Sequence, residues 1–240
     1  MNKKIFLLLF VWAIFLFLGI LLFQFLHECG HGFGSRLGGT HVSTGFNRVG
    51  DMGKRPGDPD FRTEHLIEGT MDSASLLGPF LNWMFAILFT AILLQRKRAD
   101  RLALFFGAGA LANAFMRFVP MLGFFFNALA GRFVIEDEAS WGLISIKGLN
   151  FPLAYSDFRA LVSSQPSLFL SEPKIYFWPA LSFIISFACL ILAYRRLSAL
   201  FRSPLRSRPA LWLFGLMPVL VWPFTFFLSN RLDNLIRINW

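Results

Sequence analysis

Apolar residues in this chain gather in long runs, without the alternation of a half-buried strand. From residue 5 to residue 26 every position is apolar or glycine except Gln24. About 20 such residues, wound as a helix, cross a hydrocarbon core of roughly 30 Å. Similar runs cover residues 76–94, 102–129, 175–193 and 210–228. The pattern predicts an all-α polytopic membrane protein with about five transmembrane helices, forming a single membrane domain over residues 1–240. A cleaved signal peptide is the competing reading of the first run, with Lys3 and Lys4 as its basic start. That run exceeds the usual ~7–15 residues and no A-x-A-like site follows it, so a retained first span is expected.

Between the runs, residues 38–72 are rich in Gly, Asp and Thr and read as a loop or small strand pair. The alternation from His41 to Phe46 permits an edge strand. Residues 131–174 are too few for a core of their own.

Composition agrees with this picture, at 55% hydrophobic and 15% charged residues. A net charge of +9 could suggest nucleic acid, but the positions of the charges exclude it. Lys3, Lys4, Arg96, Lys97, Arg98, Arg101, Arg195, Arg196, Arg202, Arg206 and Arg208 fall in alternate connections, where Asp100 is the single acid. The other two connections mix signs, the first with Asp51, Asp58, Asp60, Glu64, Glu68 and Asp72. The excess of Lys and Arg on one side predicts a cytoplasmic N-terminus and an external C-terminus, with anionic lipid headgroups beside the basic connections. Cys29 and Cys189 fall in different spans, and no disulfide framework is expected.

The chemistry lies at the end of the first span, where the chain reads His27-Glu28-Cys29-Gly30-His31. On a helix of 3.6 residues per turn the two histidines lie about 40° apart, on one face. Both imidazoles can reach one ion. Glu28 sits about 100° from His27 and can approach a water on that ion without ligating it. Cys29 points away and is not counted as a ligand. Zinc suits such a set, and a catalytic zinc keeps one position for water, whose proton Glu28 would take. Ionisable residues at a membrane helix end are costly unless function retains them. The plain alternative is that the helix has left the bilayer by Leu26 and the pair is interfacial.

A third protein ligand must come from another span. Near the start of the second run stands Gly78-Pro79-Phe80-Leu81-Asn82. Proline is tolerated near a helix start, where its missing N–H has no partner anyway. Asn82, an amide in an apolar helix, is a candidate for holding a substrate backbone or a loop.

These two motifs, in this order, resemble the site-2 protease family of intramembrane zinc metalloproteases. That family carries H-E-x-x-H in an early span, G-P-x-x-N at the next core helix, and an Asp in an Asn-x-x-Pro…Leu-Asp-Gly stretch that completes the metal site. Here Asn113 and Pro120 occur in the third run, but no Leu-Asp-Gly follows; the next acids are Glu136, Asp137 and Glu138. The resemblance covers about residues 5–143, the expected catalytic core. It implies zinc held by His27, His31 and an acid. Asp137 is assigned that place, with Glu138 and then Glu136 as substitutes. The competing role for Asp137 is a cap on a helix running through Trp141.

Other positions carry less. Gly30, Gly34 and Gly38 recur every four residues and read as a close-packing stripe, or as room for an unwound substrate. Arg117, inside the third run, must pair with an acid or snorkel, and could hold Asp137 or an oxyanion. His41 and His65 read as solvated. Trp178, Trp212 and Trp222 read as lipid-facing anchors.

The expected function is therefore a zinc-dependent endopeptidase cleaving a membrane-embedded or juxtamembrane peptide bond, its partners a membrane protein or peptide and the lipid bilayer. The rivals are a non-proteolytic zinc-binding pseudoprotease or scaffold, a transporter, and an H-E-x-x-H peptidase acting on soluble or lipidated peptides. Glu28 speaks against a purely structural zinc site. The almost wholly apolar fourth and fifth runs speak against a transporter.

Overall fold

A computed structural model describes residues 3–39, 41–51, 66–67, 73–150, 153–203, 205, 207–233 and 235–240. In chain order these form α1 (Lys3–Leu37), β1 (Val42–Thr44), β2 (Val49–Asp51), β3 (Leu66–Ile67), α2 (Ser73–Gln95) and α3 (Arg101–Leu129). Then follow α4 (Ser140–Leu143), β4 (Leu153–Ala154), α5 (Tyr155–Ser164), α6 (Pro166–Leu170), α7 (Phe177–Leu200), α8 (Arg208–Leu232) and β5 (Ile238–Asn239). The protein is all-α, and five of its described helices are long and apolar enough to cross a membrane. Each apolar run of the sequence falls within one of them, α7 being preceded by a 3-10 turn at Pro173–Tyr176.

Helix α3 is the most enclosed. Its stretch from Gly107 to Ala114 is buried throughout, and all of it but Leu111 and Asn113 is Gly or Ala. Small side chains let neighbouring backbones approach where no hydrophobic effect drives helices together. Helices α1, α2 and α7 pack around it, and α8 lies against α1. Trp12, Leu16 and Ile20 of α1 meet Leu104 and Ala108 of α3 and Phe214 of α8 in the main core. There the Trp12 indole stacks on Phe214 and donates to its carbonyl oxygen at 3.0 Å. The outer faces of α1, α2, α7 and α8 expose Leu, Ile and Phe, as lipid-facing surfaces do.

Two ends follow from this order. The α2–α3 and α7–α8 connections share one end, joined where Arg196 donates to the Arg96 carbonyl. At the other end lie the last turns of α1, the start of α2, the end of α3 and the start of α7. Gly131 (φ +72°) closes α3 in the left-handed conformation that glycine adopts freely. It turns residues 132–139 back toward α1. Beyond, Phe133, Ala139, Leu143, Ile146, Phe158, Phe169 and Ile175 pack with Phe124 of α3. The described residues of 131–174 thus share a core with α3 and with the 3-10 turn that leads into α7.

The alternating segment after His41 does form a strand, but a central one. The sheet order is β2-β1-β5, with Ser43 opposite both Gly50 and Asn239. The alternation alone permits an edge strand; the second partner, β5, lies nearly 200 residues along the chain and leaves no local signal. Most of the acidic connection at 52–72, His65 and Arg206 lie outside the described residues.

Candidate metal centre

Helix α1 runs unbroken through the H-E-x-x-H motif to Leu37. His27 and His31 therefore project on one face, their rings edge to face at 4.6 Å. Their Nε2 atoms stand 3.0 Å apart. Asp137 enters from a 3-10 turn, Asp137–Ala139, with Oδ2 3.6 Å from His27 Nε2 and 3.3 Å from His31 Nε2. Among the described residues this is the one group of three or more His, Cys, Asp or Glu side chains whose donor atoms could share an ion.

The donor set fits zinc. Donors about 2.0–2.1 Å from a tetrahedral centre lie roughly 3.3 Å from one another, and the three separations here bracket that figure. A charge-assisted hydrogen bond between imidazole and carboxylate would be shorter, about 2.7–2.9 Å. The spacing thus suits an ion among the three groups better than direct pairing.

His31 is oriented from behind. Its Nδ1–H donates to the Ala74 carbonyl at 2.5 Å, which leaves Nε2 as the lone-pair nitrogen facing the centre. Gly78 lines the seat of the ring: a Cβ there would lie 2.6 Å from His31 Cε1 and 2.7 Å from Cδ2. Gly30 and Gly34 let α1 and α2 come this close. A Cβ on Gly30 would stand 2.7 Å from the Leu77 oxygen, and Ser73 Oγ donates to the Gly34 carbonyl at 2.7 Å. Gly38 has no contact that tight. The glycine stripe is a packing surface over its first two members.

The three acids part company. Asp137 faces the imidazoles and does not take the competing role of a cap: Glu136 holds the cap position of the turn, without a side-chain capping bond. Burial alone would raise the Asp137 carboxyl, but His31, His27 and Arg117 around it hold it well below the usual carboxylate range. Glu138 is fully buried and belongs to Arg117, which donates through Nε at 2.9 Å and through Nη2 to the second oxygen. Glu136 lies outside the cluster, and burial pushes it up to about 7. Of the roles open to Arg117, pairing with an acid is the one it takes: it serves Glu138 directly and reaches Asp137 Oδ2 at 3.8 Å.

Glu28 is half-buried beside the pair, close enough to feel the charges of His31, Asp137, Asp233 and Arg117. Asn82, expected to meet substrate, is 1% exposed and donates to Asn113 Oδ1 of α3 at 3.0 Å. Its own Oδ1 is buried and has no partner among the described residues. Pro79 lies in the second turn of α2, because the helix begins at Ser73, earlier than expected. There its ring removes an N–H that would otherwise reach Ser75. Cys29 and Cys189 are free thiols, and His41 is exposed beside Arg36 and the Trp240 carbonyl. Of the three tryptophans read as lipid anchors, Trp212 is exposed, Trp222 is partly buried against the core, and Trp178 is half-buried and stacks on Trp83.

The surroundings extend beyond residues 5–143. Ser182 of α7 donates to Glu138 at 2.8 Å, and Asp233, just past α8, accepts from the Asn47 N–H at 2.8 Å. No sequence spacing signals either residue. No protein-family model matches the chain, and comparisons with curated proteins and with solved structures found no match.

Proposed function

We propose that this chain is a multi-pass membrane zinc metalloprotease, similar to the site-2 protease family, that hydrolyses a peptide bond within or beside the bilayer. The observation that carries the proposal is the meeting of His27 Nε2, His31 Nε2 and Asp137 Oδ2 at 3.0–3.6 Å, from segments more than 100 residues apart. These three would hold the zinc. The ion, when bound, acts as a Lewis acid that makes a water more acidic and polarises a scissile carbonyl. Glu28 takes the water's proton and passes it to the departing amine. Arg117 keeps positive charge close to the reacting end of the site.

Helix rise of 1.5 Å per residue puts Gly78 roughly 27 Å from Arg96, near the far margin of a ~30 Å hydrocarbon core. With the basic connections on the cytoplasmic side, the N-terminus is cytoplasmic and the site opens toward the opposite face. A substrate helix must unwind there, since its peptide groups are otherwise hydrogen-bonded internally.

The test is cleavage of a tagged single-span membrane protein in vesicles by wild type and Glu28→Gln, with fragments identified by mass. Loss of the general base should slow cleavage by about 10²–10⁴-fold. Equal cleavage by both proteins would remove the catalytic reading. Zinc bound equally by both with no cleavage by either would favour a scaffold.

A further inference from the structure

Asp137 sits on a turn of three residues, an element too short to hold a carboxylate in place by its own hydrogen bonds. Its neighbour Glu138 is held from two helices, with a third braced behind one of them. Arg117 of α3 grips both carboxylate oxygens. Ser182 of α7 donates to Oε1 at 2.8 Å, and Trp83 of α2 donates to Ser182 Oγ at 2.9 Å. Glu138, Ser182, Arg117 and Trp83 are all at least nine-tenths buried. The network thus ties the turn to α2, α3 and α7, and not to α1, which carries the imidazoles.

We propose that Arg117 and Glu138 are positioning residues: their buried ion pair delivers Asp137 to His27 and His31 and sets the strength of metal binding. This rests on the zinc reading above. Arg117 acts twice, anchoring Glu138 and standing 3.8 Å from Asp137 Oδ2. The pair is poorly explained as a device for stability alone. Buried ion pairs can often be exchanged for apolar residues of similar volume without loss of stability, whereas removing one partner is costly.

That contrast supplies the experiment. Arg117→Met combined with Glu138→Leu removes both charges and keeps volume. Zinc affinity is measured by chelator competition, and the visible spectrum of the Co²⁺-loaded protein reports coordination geometry. The double variant should melt in detergent close to wild type when metal-free, yet bind zinc about 10–100-fold more weakly with an altered cobalt spectrum. Arg117→Lys should not rescue binding, because an ammonium cannot grip both oxygens. If the double variant does not fold, Ser182→Ala decides, since it removes one hydrogen bond to Glu138; unchanged affinity there would overturn the proposal. Wild-type affinity and spectrum in a folded double variant would overturn it while leaving the zinc reading intact. Failure of the wild type itself to bind zinc or cobalt would remove both.

Discussion

Gly78→Ala tests whether the seat of His31 is built as tightly as the geometry indicates. The added methyl carbon would lie 2.6–2.7 Å from two ring carbons of His31, and closer still to Nε2. Comfortable separation between such atoms is about 3.5–4.0 Å, so the ring or the helix must yield by about 1 Å. The ring cannot simply swing aside, because Nδ1 is bound to the Ala74 carbonyl on the same helix. Nor can α2 easily withdraw, since Leu77 packs on Gly30 and Ser73 is bonded to the Gly34 carbonyl. Metal and catalytic constellations tolerate about 0.5 Å of error, and 1 Å can cost about 10²-fold in rate. The variant should therefore lose about 10–100-fold in zinc affinity and about 10²-fold in cleavage. Alanine favours helix over glycine by about 0.5–1 kcal/mol, so backbone propensity predicts no loss of fold. The assay pairs chelator competition for zinc with thermal unfolding of the metal-free protein in detergent. Gly123→Ala is the control, because a Cβ there meets nothing within 4 Å. Zinc affinity within twofold of wild type in Gly78→Ala would refute the argument.

Two further outcomes follow from the same structure. Asn82→Leu removes the buried bond to Asn113 and should lower stability in detergent by about 0.6–2 kcal/mol, without changing metal content; loss of zinc would show that Asn82 belongs to the centre itself. Burial pushes Asp233 above the ordinary carboxylate range, against the pull of the Asn47 and Phe46 N–H groups, Arg48 and Arg237. A carboxyl with a raised folded pKa penalises folding while ionised; the penalty is full above that pKa and fades as pH falls toward about 3.9. Asp233→Asn keeps an acceptor for Asn47, so it should raise Tm at neutral pH, with the gain shrinking on acidification; a lowered Tm at pH 7 contradicts this.

The five spans were legible because a membrane helix is written as one continuous run, and nothing else in a chain of this size needs some 20 apolar residues in a row. The histidine pair was equally legible. Helical periodicity puts positions four apart on one face, and the surrounding apolar sequence left no doubt of the helix. Choosing among Glu136, Asp137 and Glu138 was harder. In a 3-10 turn consecutive side chains point about 120° apart, and which one faces α1 depends on where α3 ends and how Gly131 redirects the chain. Asp137 came first by position; what separates it from Glu138 is Arg117, whose partner the sequence could not name. Ser182 and Asp233 reach the site only through packing of α7 and α8; Ser182 shares its apolar helix with Ser186, and Asp233 follows the polar stretch Ser229, Asn230 and Arg231, so neither stands out along the chain. Gly78 was noticed as part of a motif, but its contact with His31 exists only once α1 and α2 lie side by side.

The central claim is a divalent ion held by two imidazoles and one carboxylate. Metal analysis and zinc X-ray absorption of the purified protein, beside Asp137→Ala, address it most directly. One zinc per chain, nitrogen and oxygen donors at about 2.0–2.1 Å, and reduced occupancy in Asp137→Ala are expected. A wild type that carries no metal, a sulfur donor near 2.3 Å from Cys29, or full occupancy without Asp137 would contradict it.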